Sequence, residues 1–186
     1  MSVITVEQLG ELIAQSKAGR VTRENLQAYL CNPVGVDYSI SVDYGKSIKE
    51  MLLAGSYYFD DERTFDDDFS TYTRYENCPK TVIMELVHLE GITSEAVLNH
   101  LKSNKMRPAM IKEFLAFMAM FPEIQKKYAV VCLGSSCSIP NGCRCVPYIY
   151  SGRKYVSSDR PELQIRDFDD AWGIGYRFLA VSCPIF

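Results

Sequence analysis

Apolar residues in this chain come in strand-length runs broken by two clear helical stripes, a pattern that points to an α+β fold. Val36, Tyr38, Ile40, Val42 and Tyr44 alternate with other residues at a period of two, which predicts a strand. Val82–Leu89, Val130–Leu133, Val146–Tyr150, Leu163–Phe168 and Tyr176–Val181 read as further strands. Ser47–Ala54 reads as a short helix ended by Gly55. Thr93-Ser94-Glu95 opens a helix running to about Ser103. A second follows Met106-Arg107-Pro108-Ala109, with Pro108 in its first turn, where a missing N–H is tolerated. Ile111, Phe114, Leu115 and Met118 form its apolar stripe, and Pro122 ends it.

Ahead of these elements, Val6, Leu9, Leu12 and Ile13 share one helical face, Gly19 stops that helix and Thr22 restarts it. Asn32-Pro33-Val34-Gly35 then breaks the chain. The expectation is an N-terminal helical segment over 1–35 and one domain over 36–186. The segment is either an arm for a partner or second copy, or a helix on the same core. Residues 56–80, rich in Tyr, Phe and Asp, read as a structured surface excursion with one or two strands.

A chain of 186 residues buries about 70% of its unfolded surface, so its core needs no staples. A net charge of −3 argues against a nucleic-acid or anionic-membrane partner. The longest apolar runs, Val82–Leu89 and Phe114–Phe121, fall far short of the roughly 20 residues of a membrane span. The first residues show no signal-peptide pattern, and the seven cysteines are an odd count, so reduced thiols in a cytoplasmic protein are expected.

Motifs that carry chemistry are weak. Cys132, Cys137, Cys143 and Cys145 are spaced C-x4-C-x5-C-x-C, without the C-x2-C knuckles of structural zinc and with no nearby histidine. His88 and His100 fall in a strand and a helix, away from any nucleophile elbow. Asp66-Asp67-Asp68 lacks the spaced carboxylates and glycine of a calcium loop. No catalytic residue, metal or cofactor is expected.

One compositional change stands out. Met, Lys, Glu and Gln are common through residue 133, then shrink to Lys154, Glu162 and Gln164, with Trp172 the single tryptophan. These five types are the ones that an A-A-pyrimidine codon cannot reach when only its adenines are replaced. Adenine-directed diversification of the tail explains the change; so does a β-rich tail that disfavours Lys and Glu.

Arg107-Pro-Ala-Met-Ile-Lys-Glu-Phe-Leu-Ala-Phe117, Val130-Val-Cys-Leu-Gly-Ser135, Val146-Pro-Tyr-Ile149, and Trp172 followed by Tyr176-Arg-Phe-Leu-Ala-Val181 resemble the variable proteins of diversity-generating retroelements. The resemblance implies a C-type-lectin-like fold of the formylglycine-generating-enzyme type with an N-terminal helical segment. It also implies a variable ligand-binding region over about 134–182. Between the strand cores Val130, Val131, Leu133, Val146, Leu163, Ile165, Phe178, Leu179 and Val181, the residues expected to face outward are Ser138, Ile139, Asn141, Cys143, Cys145, Tyr148, Tyr150, Tyr155, Arg166, Asp167, Phe168, Asp169, Gly173 and Ile174. Their Tyr, Ser, Gly, Asn and Arg content is paratope-like, although ordinary β-loops favour Gly, Ser, Asn and Asp too. Tyr and Arg favour a protein or other macromolecular ligand. Trp172 reads as a pin for the last loop, with a binding hot spot as its rival. Two other functions remain open: a copper oxidase using Cys137 and Cys143, as some enzymes of that fold do, and an assembly subunit joined through residues 1–55.

Overall fold

A computed structural model describes residues 37–57, 69–71, 80–140, 142–150 and 161–182, together with Ala14. The expected helices over 4–30, most of the 56–80 excursion with Asp66–Asp68, and site residues Asn141 and Tyr155 lie outside the described residues.

Nine strands are described: β1 (Tyr38–Ser41), β2 (Ser70–Thr71), β3 (Thr81–Val87), β4 (Met106–Pro108), β5 (Ala129–Val131), β6 (Ser135–Ser138), β7 (Arg144–Tyr150), β8 (Glu162–Asp167) and β9 (Tyr176–Ser182). They form one sheet in the order β1-β3-β9-β5-β7-β6-β2, with β4 added to β9 and β8 to β7. Among these pairings only β5 with β9 is parallel. Among the described residues four helices accompany the sheet: α1 (Ile48–Ala54), α2 (Ser94–Ser103), α3 (Ile111–Met120) and α4 (Ile124–Lys127). The chain is thus α+β, and among the described residues no helix is long and apolar enough to cross a membrane.

Both faces of the sheet are covered, and period-two alternation divides the strands between two cores. Leu179 and Val181 of β9 join Val130, Met84, Leu86 and the α3 residues Phe114, Leu115, Phe117 and Met118 on one side. Phe178 and Ala180 join Val131, Leu133, Val146, the α2 residues Val97 and Leu101, and Trp172 on the other. The expected stripe of α3 is buried in full, as are the expected strand-core residues except Ile165. Ile165 is half-buried because β8 flanks β7 at an edge of the described sheet.

Local chemistry explains where the elements stop. Ser47 caps α1: Glu50 N donates to Ser47 Oγ at 3.2 Å, and Ser47 N donates to Glu50 Oε2 at 2.8 Å. Gly55 closes the same helix. Thr93 caps α2 through Ala96 N. Pro108 corrects one expectation. It does not open a helix but ends β4 opposite Ala180, and the next residue supplies the ladder bond, Ala109 N to Leu179 O at 2.9 Å. The helix begins at Ile111, whose N–H donates to Ser135 Oγ at 2.9 Å.

Glu113, fully buried in the first turn of α3, has every acceptor direction engaged. Arg107 holds it with two bonds of 2.8 and 2.6 Å, Tyr44 Oη donates at 2.7 Å and Met110 N at 2.8 Å. The sequence reading placed no strand over Ser135–Ser138. That segment is strand β6, held between β7 and β2, and its first three residues are buried. Gly134 before it lies against backbone: a Cβ there would meet Ala109 O at 2.4 Å.

Candidate ligand-binding face

The antiparallel register of β7 and β8 sets Val146 opposite Arg166, Tyr148 opposite Gln164 and Tyr150 opposite Glu162. Alternation therefore gathers Tyr148, Tyr150, Glu162, Gln164 and Arg166 on one side of the ribbon. The opposite side carries Pro147, Ile149 and Leu163 toward the α3 core.

The polar side is cross-braced. Tyr148 Oη donates to Gln164 Oε1 in a short bond, and Gln164 Nε2 donates to Glu162 Oε2 at 2.9 Å. Arg166 spends its guanidinium on three partners: Asp170 Oδ2 at 2.8 Å, Tyr176 Oη at 2.5 Å and Ala171 O at 3.3 Å. The same group lies 5.2 Å from the ring centroids of both Trp172 and Tyr176, within cation–π range. At the far end, Arg144 stacks 4.0 Å over Phe168 and donates to Ser136 Oγ at 3.2 Å. Burial raises the Tyr148 phenol above its ordinary value; Tyr176 and Glu162 add to this and Arg166 opposes it. Burial disfavours the Arg166 cation, but its bonds and charge pairing with Asp170 and Tyr176 outweigh that and raise its pKa.

The adjoining loop is clamped from beneath. Trp172 is 0% exposed, and its Nε1 donates to Ser94 Oγ at 2.9 Å, which in turn donates to Phe168 O at 2.5 Å. Backbone bonds Gly91 N to Trp172 O (3.0 Å) and Trp172 N to Ile92 O (2.9 Å) tie the loop to the start of α2. Trp172 is therefore the pin of this loop rather than a surface hot spot. The clamp leaves Asp169, Gly173 and Ile174 exposed, with Ile174 at 69%.

Of the residues expected to face outward, Ser138, Tyr150, Asp169, Gly173 and Ile174 are exposed, while Ile139, Cys143, Tyr148, Arg166 and Asp167 are half-buried. Ile139 and Cys143 meet at the β6–β7 turn, Ile139 N donating to Cys143 O at 3.1 Å. Two expectations are corrected. Cys145 is 3% exposed, because it sits inside β7 with its register partner Cys137. Phe168 is 4% exposed: its N–H bonds to Arg144 O at 2.8 Å, and its ring packs into the α2-side core beneath the Arg144 guanidinium. Reading the sequence missed Arg144, Glu162, Gln164, Asp170 and Tyr176. Their polar or amphipathic character was visible, but only the β7–β8 register and the fold-back of β9 show that they converge.

Across the ladder from Cys137 stands Cys145, not Cys143. Cys132 is buried, its Sγ donates to Ala109 O at 3.0 Å, and burial pushes its thiol pKa far up. Among the described residues no group of three or more His, Cys, Asp or Glu side chains is placed to hold a metal ion. Comparison of the chain with known protein families, curated proteins and solved structures finds no match.

Proposed function

We propose that this chain is a non-enzymatic cytoplasmic binding protein with a C-type-lectin-like fold, whose residues about 134–182 are diversified through a retroelement and recognise a protein ligand. The fold reading is supported by the antiparallel pairing of the last strand, β9, with β3, and by the helices α2 and α3 in the chain between them. The observation that carries the binding reading is the braced ribbon of Tyr148, Tyr150 and Arg166 beside the exposed Ile174 loop. Aromatic and Arg side chains anchor protein interfaces, and side chains already held in place lose little entropy on binding. The face is narrower than the sequence suggests, since Cys145 and Phe168 serve the interior.

The test is genetic and structural together. A near-identical repeat of the segment encoding 134–182 should lie near the gene, beside a reverse transcriptase. Sister copies should differ at Ser138, Tyr148, Tyr150, Arg166 and Ile174 while keeping Glu113, Trp172 and the β9 core. Variation spread evenly along the chain, with no repeat, would remove the diversification reading. For a copy with a known ligand, Tyr150→Ala and Ile174→Ser should each weaken binding by more than ten-fold. Unchanged affinity in both would remove the face itself.

A further inference from the structure

On the α3 side of the sheet, beneath the 173–176 loop, two buried nitrogen atoms lack any hydrogen-bond partner: Nε of Arg177 and Nε2 of His88. The register that pairs Val87 with Phe178 places His88 across from Arg177, one position beyond the last paired residues. Alternation puts both on the side that carries Leu86 and Leu179.

Arg177 is 7% exposed. Its Nη1 donates to Ile174 O at 2.8 Å and Tyr176 O at 2.7 Å, and its guanidinium lies 4.2 Å over the Tyr128 ring. Among the described residues it forms no salt bridge; Tyr128, by its charge and a side-chain hydrogen bond, and then the charge of Glu90 favour the cation without offsetting its burial. Burial accordingly lowers its pKa from the ordinary guanidinium value. A desolvated cation with an unused donor costs free energy, and native proteins rarely keep one without a use for it.

We propose that Arg177 and His88 form a binding site for a single carboxylate group. Nη1 is already committed, whereas the Nε–H has no partner, and an imidazole carrying its proton on Nε2 offers another unpartnered donor. One fixed positive charge with these two donors matches a monoanion with two acceptor oxygens. The Tyr128 ring stacks against the guanidinium and holds its plane. This inference is independent of the β7–β8 face, whose failure would leave it standing.

The experiment follows the Arg177 Nε–H resonance by 15N NMR in the full chain. Sodium acetate should shift it saturably, and sodium chloride at equal ionic strength should not. Arg177→Lys, which keeps the charge but loses the Nε–H, should weaken acetate binding at least ten-fold, as read by thermal shift; His88→Gln should weaken it several-fold. A short peptide with a free α-carboxylate, compared with its amidated form, separates the sources. Tighter binding of the acid peptide than of acetate identifies a protein carboxylate, and equal binding identifies a small acid. Three results overturn the proposal: equal shifts in acetate and chloride, undiminished acetate binding in His88→Gln, or a protected Nε–H without acetate that is lost in Glu90→Gln. The last would make Glu90 the occupant. If Arg177→Lys does not fold, His88→Gln decides alone.

Discussion

Two carboxylates in this chain meet opposite fates, and the contrast sets what each does to stability. Glu113 is fully buried but bonded to Arg107, Tyr44 and its own helix start, so its charge is compensated. Removing one partner strands the other: Arg107→Met should lower unfolding stability by about 3–5 kcal/mol in a urea titration. Glu85 of β3 has no such partner among the described residues, and burial followed by the charge of Asp37 raises its pKa, with His100 opposing. A carboxyl whose pKa rises on folding adds stability below its unfolded value and loses it as pH climbs through the folded one. Glu85→Gln should therefore raise the melting temperature at pH 7 and have little effect near pH 4. The same sign at alkaline pH applies to Tyr148. Its raised phenol pKa predicts a loss of stability above about pH 10 that Tyr148→Phe reduces, measured by melting temperature against pH.

Among the elements, the β6–β7 hairpin depends on two glycines for different reasons. Gly142 sits at φ +85°, and nothing lies within 4 Å of a Cβ built there. Gly142→Ala therefore meets only backbone strain, about 1–2 kcal/mol. Gly134→Ala would drive a methyl into the Ala109 carbonyl, which belongs to the connection between β4 and α3 and has no room to withdraw. It should destabilise more than Gly142→Ala in thermal unfolding, and an equal or smaller effect would contradict the close approach. The hairpin also shows why sequence reading missed β6. Ser135, Ser136 and Cys137 carry no strand-like alternation, and their burial comes from neighbours on both sides. One of those neighbours is two residues of β2, from the 56–80 excursion, where one or two strands were expected but not placed.

At the scale of the whole molecule, one sheet separates two cores, and the candidate face depends on the α2-side one. Trp172 joins that core and the loop that carries Ile174. Trp172→Leu should leave the α3 side intact and raise hydrogen exchange across 168–176 before it affects α3. Equal loosening of both sides would show that the cores do not act separately.

By itself the sequence determined the elements whose apolar periodicity is strong: the stripe of α3, the strands around Val130, Val146 and Phe178, and the short helix α1 closed by Gly55. Those follow from local spacing and from the cost of leaving large apolar side chains in water. The tertiary structure alone decided the strand order, the burial of Phe168 and Cys145, the strand role of Pro108, and the meeting of His88 with Arg177. The placing of His88 across from Arg177 is drawn from the β3–β9 register, and the rest depend on which distant segment becomes the neighbour. A period of two tells which residues share a side of a strand, while only pairing register tells what that side faces.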